Sequence, residues 1–169
     1  MPRFRIAPAV FAIVFAAFAA DDAQVRKEIE AKYTSSLQAL KAAKSIEDLD
    51  ADHQRLDTLD WVSIAPGQKP MSWDELRGYG FQNLAAPFDE MSFPIDKLTM
   101  KDEKTAIVEG TITVKATREI DGVKHLLVST APIRDTWVKT PDGWRRKIHE
   151  KLAPNQTTMD GKPLDPPKQ

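Results

Sequence analysis

The chain has 169 residues, 41% of them hydrophobic, a formal net charge of −1 and no cysteine. That length suits one globular domain with a sizeable core, and the near-neutral balance excludes the broad basic face that nucleic-acid binding uses. The missing thiols exclude disulfides, thiolate metal sites and a cysteine nucleophile.

Arg3 and Arg5 precede an apolar run from Ile6 to Phe18 that closes on Ala17-Phe18-Ala19. A charged start, a short apolar stretch and a small-residue site make residues 1–19 a secretory signal peptide, with cleavage after Ala19. A membrane span would need about 20 apolar residues. The expectation is an exported protein, periplasmic or extracellular, without membrane attachment once cleaved. The folded domain is expected over residues 20–153. Residues 154–169, with Pro154, Pro163, Pro166 and Pro167 and little to bury, read as a mobile Pro-rich tail.

From Asp22 to Lys44, Val25, Ile29, Tyr33, Leu37 and Leu40 recur every three or four residues, which predicts an amphipathic helix. Ser45-Ile46-Glu47-Asp48 resembles a capping box and opens a shorter helix marked by Ile46, Leu49, His53 and Leu56. Leu59 to Ile64 alternates as a short strand before Pro66-Gly67. Ser72-Trp73-Asp74-Glu75 is a full capping box, predicting a third helix to about Ala85, although Gly78 and Gly80 weaken it by about 1 kcal/mol each.

Strands follow. Met91 to Met100 is one, with Pro94 marking an edge or bulge. In Thr105 to Arg118, Ala106, Val108, Gly110, Ile112, Val114 and Ala116 share one face, and Ile107 is a large apolar exception on the other. Asp121-Gly122 and Asp142-Gly143 are hairpin turns around strands over 124–139 and 144–152. On the last strand, Trp144, Ile148 and Leu152 suggest the buried face, leaving Arg145, Lys147 and His149 outside. Helices first and strands second make an α+β fold.

This element order, with Arg134-Asp135-Thr136-Trp137-Val138-Lys139 and Asp142-Gly143-Trp144 in a terminal hairpin, resembles the nuclear-transport-factor-2-like superfamily, especially its SnoaL-like and related exported bacterial branches. The resemblance covers about Asp22 to Ala153. It implies a cone: a curved antiparallel sheet closing toward a barrel, N-terminal helices on its concave side, and a pocket at the wide end. Members include isomerases, dehydratases and cyclases that use no cofactor, as well as transport factors, so the resemblance implies a pocket rather than a reaction.

Asp135 and Trp137 share a strand face. A buried Asp beside aromatic surface would have a raised pKa and act as a base; alternatively, Trp137 packs in the core while Asp135 pairs locally. His53 and Asp57, four apart on one helix, lie together, and an Asp can orient a His for proton transfer. Tyr33, Trp61, Trp73 and Trp137 are the aromatic residues expected to wall a pocket for a small, partly apolar molecule. Asp48-x-Asp50-x-Asp52 lacks the Gly and Glu that a calcium loop needs, no spacing joins the three histidines into a metal site, and no cofactor motif appears. Three readings stand: a small-molecule binder, a cofactor-independent isomerase, dehydratase or cyclase using Asp135 or His53, and a homodimer formed through the sheet's outer face around Ile107.

Overall fold

A computed structural model describes residues 9–84 and 87–164, with side chains from residue 22 onward. Of the expected signal peptide, residues 1–19, the first eight residues and all the side chains lie outside that description. Helix α1 (Ala9–Ala42) is followed by α2 (Ile46–Leu56), strand β1 (Asp57–Ile64), β2 (Met71–Ser72), α3 (Trp73–Arg77) and α4 (Phe81–Leu84). Strands β3 (Glu90–Ser92), β4 (Ile95–Asp102), β5 (Thr105–Ile120), β6 (Val123–Thr140), β7 (Gly143–Lys151), β8 (Gln156–Met159) and β9 (Lys162–Pro163) complete the chain. Among the described residues, no helix is long and apolar enough to cross a membrane.

The strands make one curved, unclosed sheet in the order β2-β1-β7-β6-β5-β3, with β4 also on β5 and β8 on β6. It is mixed rather than wholly antiparallel, because β1 pairs parallel with β7. The helices between β1 and the later strands allow the chain to re-enter the sheet in either direction, which alternation within a strand does not report. The two longest strands face each other in an unbroken register from Thr105↔Val138 to Ile120↔Val123. Asp121 (φ 52°) and Gly122 (φ 78°) make the turn between them, both residues left-handed as a two-residue hairpin requires.

Three elements differ from their expectation. The third helix is divided into α3 and α4 by Gly80 at φ 78°, a conformation that a helix cannot carry and glycine adopts freely. The strand over Met91–Met100 is interrupted at Phe93-Pro94, since proline has no N–H to give the ladder, and its halves pair separately with β5. Part of the expected tail is in strands: Thr157 to Met159 continue the sheet against Leu127 to Ser129, and β9 folds back on β8. Polar Gln and Thr residues suffice there because a second strand supplies the hydrogen bonds.

The core lies between α1 and the concave face of the sheet. Ile29 and Tyr33 pack with Leu56, Ile95, Ala106, Val108, Trp137 and Trp144. The alternation read in β5 holds, with Ala106 and Val108 fully buried.

Candidate active site

Burial on β6 alternates through Ala131, Ile133, Asp135 and Trp137, so an ionisable residue enters the core face at the third of these positions. Asp135 is 1% exposed. An isolated carboxylate so placed would be costly, and the neighbours that offset the cost define the site. The Tyr33 hydroxyl donates to Asp135 Oδ2 at 2.5 Å and accepts from Trp137 Nε1 at 2.9 Å. His149 Nδ1 lies 2.7 Å from Asp135 Oδ1, and an Arg146 nitrogen lies 3.7 Å from Oδ2.

Arg146 also binds a second buried carboxylate in bidentate fashion, with Nε 2.7 Å from Asp57 Oδ1 and a terminal nitrogen 3.2 Å from Oδ2. Asp57 ends α2 and starts β1, and its Oδ2 lies 2.8 Å from His53 Nδ1. The result is one continuous network, His149–Asp135–Arg146–Asp57–His53, with Tyr33 and Trp137 as an outer support. The i, i+4 pairing of His53 with Asp57 is seen as expected.

The electrostatics follow from this arrangement. Burial alone pushes the Asp135 carboxyl up, but the charges of His149 and Arg146 and the hydrogen bonds from His149 and Tyr33 together hold it below the ordinary carboxylate value. The expected raised-pKa base is therefore corrected: Asp135 is an ionised carboxylate with both oxygens occupied. Burial, then the Asp135 charge, raises the Tyr33 phenol well above its usual value. Desolvation disfavours the Arg146 guanidinium, yet Asp57 and Asp135 outweigh it and keep the group charged.

Because an ionised carboxylate only accepts, each imidazole presents its Nδ1–H to the Asp, and its Nε2 is the nitrogen left for other work. No hydrogen bond among the described residues engages either Nε2. Both rings line a cavity of about 260 Å³ between α1, α2 and the sheet. Its polar side is formed by Ser36, Asp52, His53, Asp57, Arg146 and His149, and its apolar side includes Leu37, Leu40, Leu49, Met91 and Phe93.

The expected aromatic wall is partly relocated. Tyr33 and Trp73 line the cavity, whereas Trp61 and Trp137 do not. Trp137, fully buried, stands behind Asp135 and Tyr33. Trp61 is 6% exposed and packs edge-on against His53 at 5.3 Å, with the Arg146 guanidinium over its face at 5.6 Å. Trp73 stacks on His53 at 4.6 Å and 14° and donates Nε1 to Asp50 at 2.8 Å, so α3 holds the ring of His53 in place. The acidic Asp48-x-Asp50-x-Asp52 run is divided among local tasks: Asp48 caps α2, Asp50 takes Trp73 and Arg77, and Asp52 takes Ser36 and Arg55.

His149 and Arg146 are the functional residues that the pattern of the last strand misplaces or misses. Trp137 pairs with Arg146 and Thr136 with Ile148, so Lys147 is an extra residue in β7. This bulge shifts the alternation by one. Trp144 and Arg146 face inward before it, and His149 faces inward after it, directly opposite Asp135. Ile148 consequently turns outward with Ile107 and Thr136.

No family model and no curated protein matches the sequence. Solved structures do resemble it. A nuclear transport factor 2-like superfamily protein from Salmonella enterica is 18% identical, covering 78% of this chain and 92% of its own, with a TM-score of 0.57. A protein from Planctomyces limnophilus matches at 18% identity, 85% and 98% coverage and a TM-score of 0.57. A scytalone dehydratase candidate from Novosphingobium aromaticivorans matches at 15% identity, 83% and 90% coverage and a TM-score of 0.60. With its helices on the concave side of a curved mixed sheet, the chain has the nuclear-transport-factor-2-like fold.

Proposed function

We propose that the protein binds a small, partly apolar molecule in the cavity and moves protons on it without a cofactor, as an isomerase- or dehydratase-type enzyme. The observation that carries this reading is the pair of imidazoles lining one cavity, each held at Nδ1 by a buried carboxylate. An imidazole held at Nδ1 has Nε2 as its free proton-exchanging nitrogen and a defined direction of proton transfer. His149 and His53 are the acid–base groups, and Asp135 and Asp57 orient them. Arg146, placed between the two carboxylates, offsets one of their two charges. The likeness to a scytalone dehydratase candidate agrees with such chemistry but rests on fold alone.

The test is hydrogen exchange at carbon. The protein is incubated in D2O with a panel of cyclic ketones and β-hydroxy ketones, and loss of the α-proton signal is followed by NMR. Exchange above the buffer rate is expected for some members, reduced by about 10²-fold or more in His149→Ala. If Trp73 fluorescence reports binding but no compound exchanges faster than in buffer, the protein is a binder only.

Homodimerisation through the outer face is a second reading, supported by Ile107, Thr136, Ile148 and Val62 forming one cross-strand row there. Light scattering distinguishes a dimer from a monomer. Export rests on the sequence of residues 1–19, and N-terminal sequencing of the protein recovered outside the cytoplasm tests cleavage after Ala19.

A further inference from the structure

The contacts on His53 are not held equally. Asp57 and Trp61, which reach it from β1, are themselves almost wholly buried. Trp73 comes instead from α3, a five-residue helix with no buried side chain, and α4 behind it has none either. Apolar burial therefore does little to fix this segment. Its capping box, Ser72 with Glu75, ties α3 only to itself, and β2 anchors its first end to β1. Beyond that anchor, the polar contacts that bind α3 to α2 converge on one carboxylate. Asp50 accepts from Trp73 Nε1 at 2.8 Å and from Arg77 Nε at 2.9 Å, with an Arg77 terminal nitrogen 2.8 Å away. At the other end, Gly80 stands at φ 78° with open space where a Cβ would be, so the chain can bend there without a clash.

The His53 ring is fixed on three sides: Nδ1 on Asp57 at 2.8 Å, Trp61 edge-on at 5.3 Å and Trp73 stacked at 4.6 Å. Swinging α3 away removes only the stack, and with it one wall of the cavity, since Trp73 lines it. The imidazole then keeps its bond to Asp57 but loses the flat surface that sets its tilt, and Nε2 is no longer aimed at one point of the cavity. We infer that α3 is a lid latched by Asp50, and that closing it completes the site by walling the cavity and seating His53 between two indoles. Asp50 is thereby a positioning residue that acts through Trp73. This rests on the reading of His53 as an acid–base group, and it adds how that group is assembled and exposed.

The test reads His53 directly and needs no ligand. Diethyl pyrocarbonate acylates accessible imidazoles, and peptide mass spectrometry separates the three histidines. His53, with 13% of its side chain exposed against 23% for His125, should label more slowly than His125 in the wild type. Its ring C–H signals in proton NMR should lie upfield of those of His125, because it stacks on an indole. In Asp50→Ala, His53 should label about ten-fold faster, the rise in open population that follows loss of a charge-assisted hydrogen bond, and its signals should move downfield. His125, paired with Asp160 outside the cavity, should keep its rate and shifts. Arg77→Ala removes an exposed side chain and should act in the same direction without touching Trp73. Unchanged labelling and shifts of His53 in both variants overturn the inference, because Asp50 would then not be what holds α3. Equal acceleration of His53 and His125 overturns it as well, since the change would then act on the whole fold. If His53 responds as expected while no ketone exchanges its α-proton faster than in buffer, the lid stands and the proton-transfer reading falls.

Discussion

Asp135 and His149 stand directly opposite each other on β6 and β7, with His149 Nδ1 2.7 Å from Asp135 Oδ1. They meet only because Lys147 bulges out of β7, where its ammonium pairs with Asp60 at 2.9 Å. Without that extra residue in the count, strict alternation from Trp144 turns His149 to the outer face. A bulge beside a functional residue re-aims a side chain, and here it supplies one of the two imidazoles to the cavity.

The ion network makes Asp135 a structural as well as a functional group. Its folded carboxyl titrates below the unfolded one, so the native state binds fewer protons. Its stabilisation is complete above the unfolded carboxylate range, about pH 4, and disappears as pH falls through the lower folded value. Asp135→Asn should cost about 3 kcal/mol at pH 7, because it leaves Arg146 short of a buried partner. It should also flatten the dependence of the urea midpoint on pH below about 4. Parallel curves for the two proteins, merely offset, would show that Asp135 is not the group being lost.

Much of this fold is written in periodicity. The stripe through Ile29 and Tyr33, the alternation of β5 and the glycine turns appear in the sequence because each is a local rule acting on neighbouring residues. Pairing direction is not local, so the parallel β1–β7 contact could not be read. The site divides in the same way. His53 and Asp57 are four apart where α2 passes into β1 and are legible as a pair, and Asp135 is legible as a buried acid. Arg146 carries no local signal, since nothing nearby in sequence reveals that two carboxylates lie beneath it. The available signal was a debt: a buried Asp on a core face requires a cation, and the neighbouring strand was the place to seek it.

Tyr33 ties this network to α1. Phenylalanine at position 33 would preserve the ring's contacts with Phe93 and Trp137, at 4.6 and 5.2 Å between centroids, but remove the hydroxyl that serves Asp135 and Trp137. The buried Trp137 N–H is then left without an acceptor, at a cost of about 1–3 kcal/mol. The Asp135 carboxylate also loses a donor, so acid unfolding should begin at higher pH than in the wild type. A Tyr33→Phe protein with unaltered urea midpoint and acid limb would show that the hydroxyl contributes nothing.

Trp73 reaches the cavity on a short helix whose attachment is largely polar. Asp50 accepts from Trp73 Nε1 and pairs with Arg77 at 2.8 Å, binding α3 to α2. Asp50→Ala should therefore act locally. Amide exchange over residues 71–84 should accelerate by an order of magnitude or so, for loss of a hydrogen bond worth about 1 kcal/mol, while β5 and β6 keep their protection. Uniform acceleration through the sheet would mean instead that α3 unfolds only with the whole molecule.

The cavity's far wall depends on a close approach at Gly110. A Cβ there would lie 2.3 Å from the Pro94 carbonyl oxygen and 3.1 Å from two Phe93 ring atoms. The carbonyl is backbone and cannot rotate away, so Gly110→Ala must push the β3–β4 junction off β5. Overpacking of this kind costs about 1–3 kcal/mol. Because Phe93 lines the cavity and packs on Tyr33 at a tilt of 58°, the displacement should also weaken the binding of a cyclic-ketone probe there. Gly110 carries no side chain toward the ligand, so weaker binding in that variant would trace to the wall's position. A variant as stable as the wild type, binding the probe equally well, would show that the junction yields without cost and that Phe93 does not set the shape of the site.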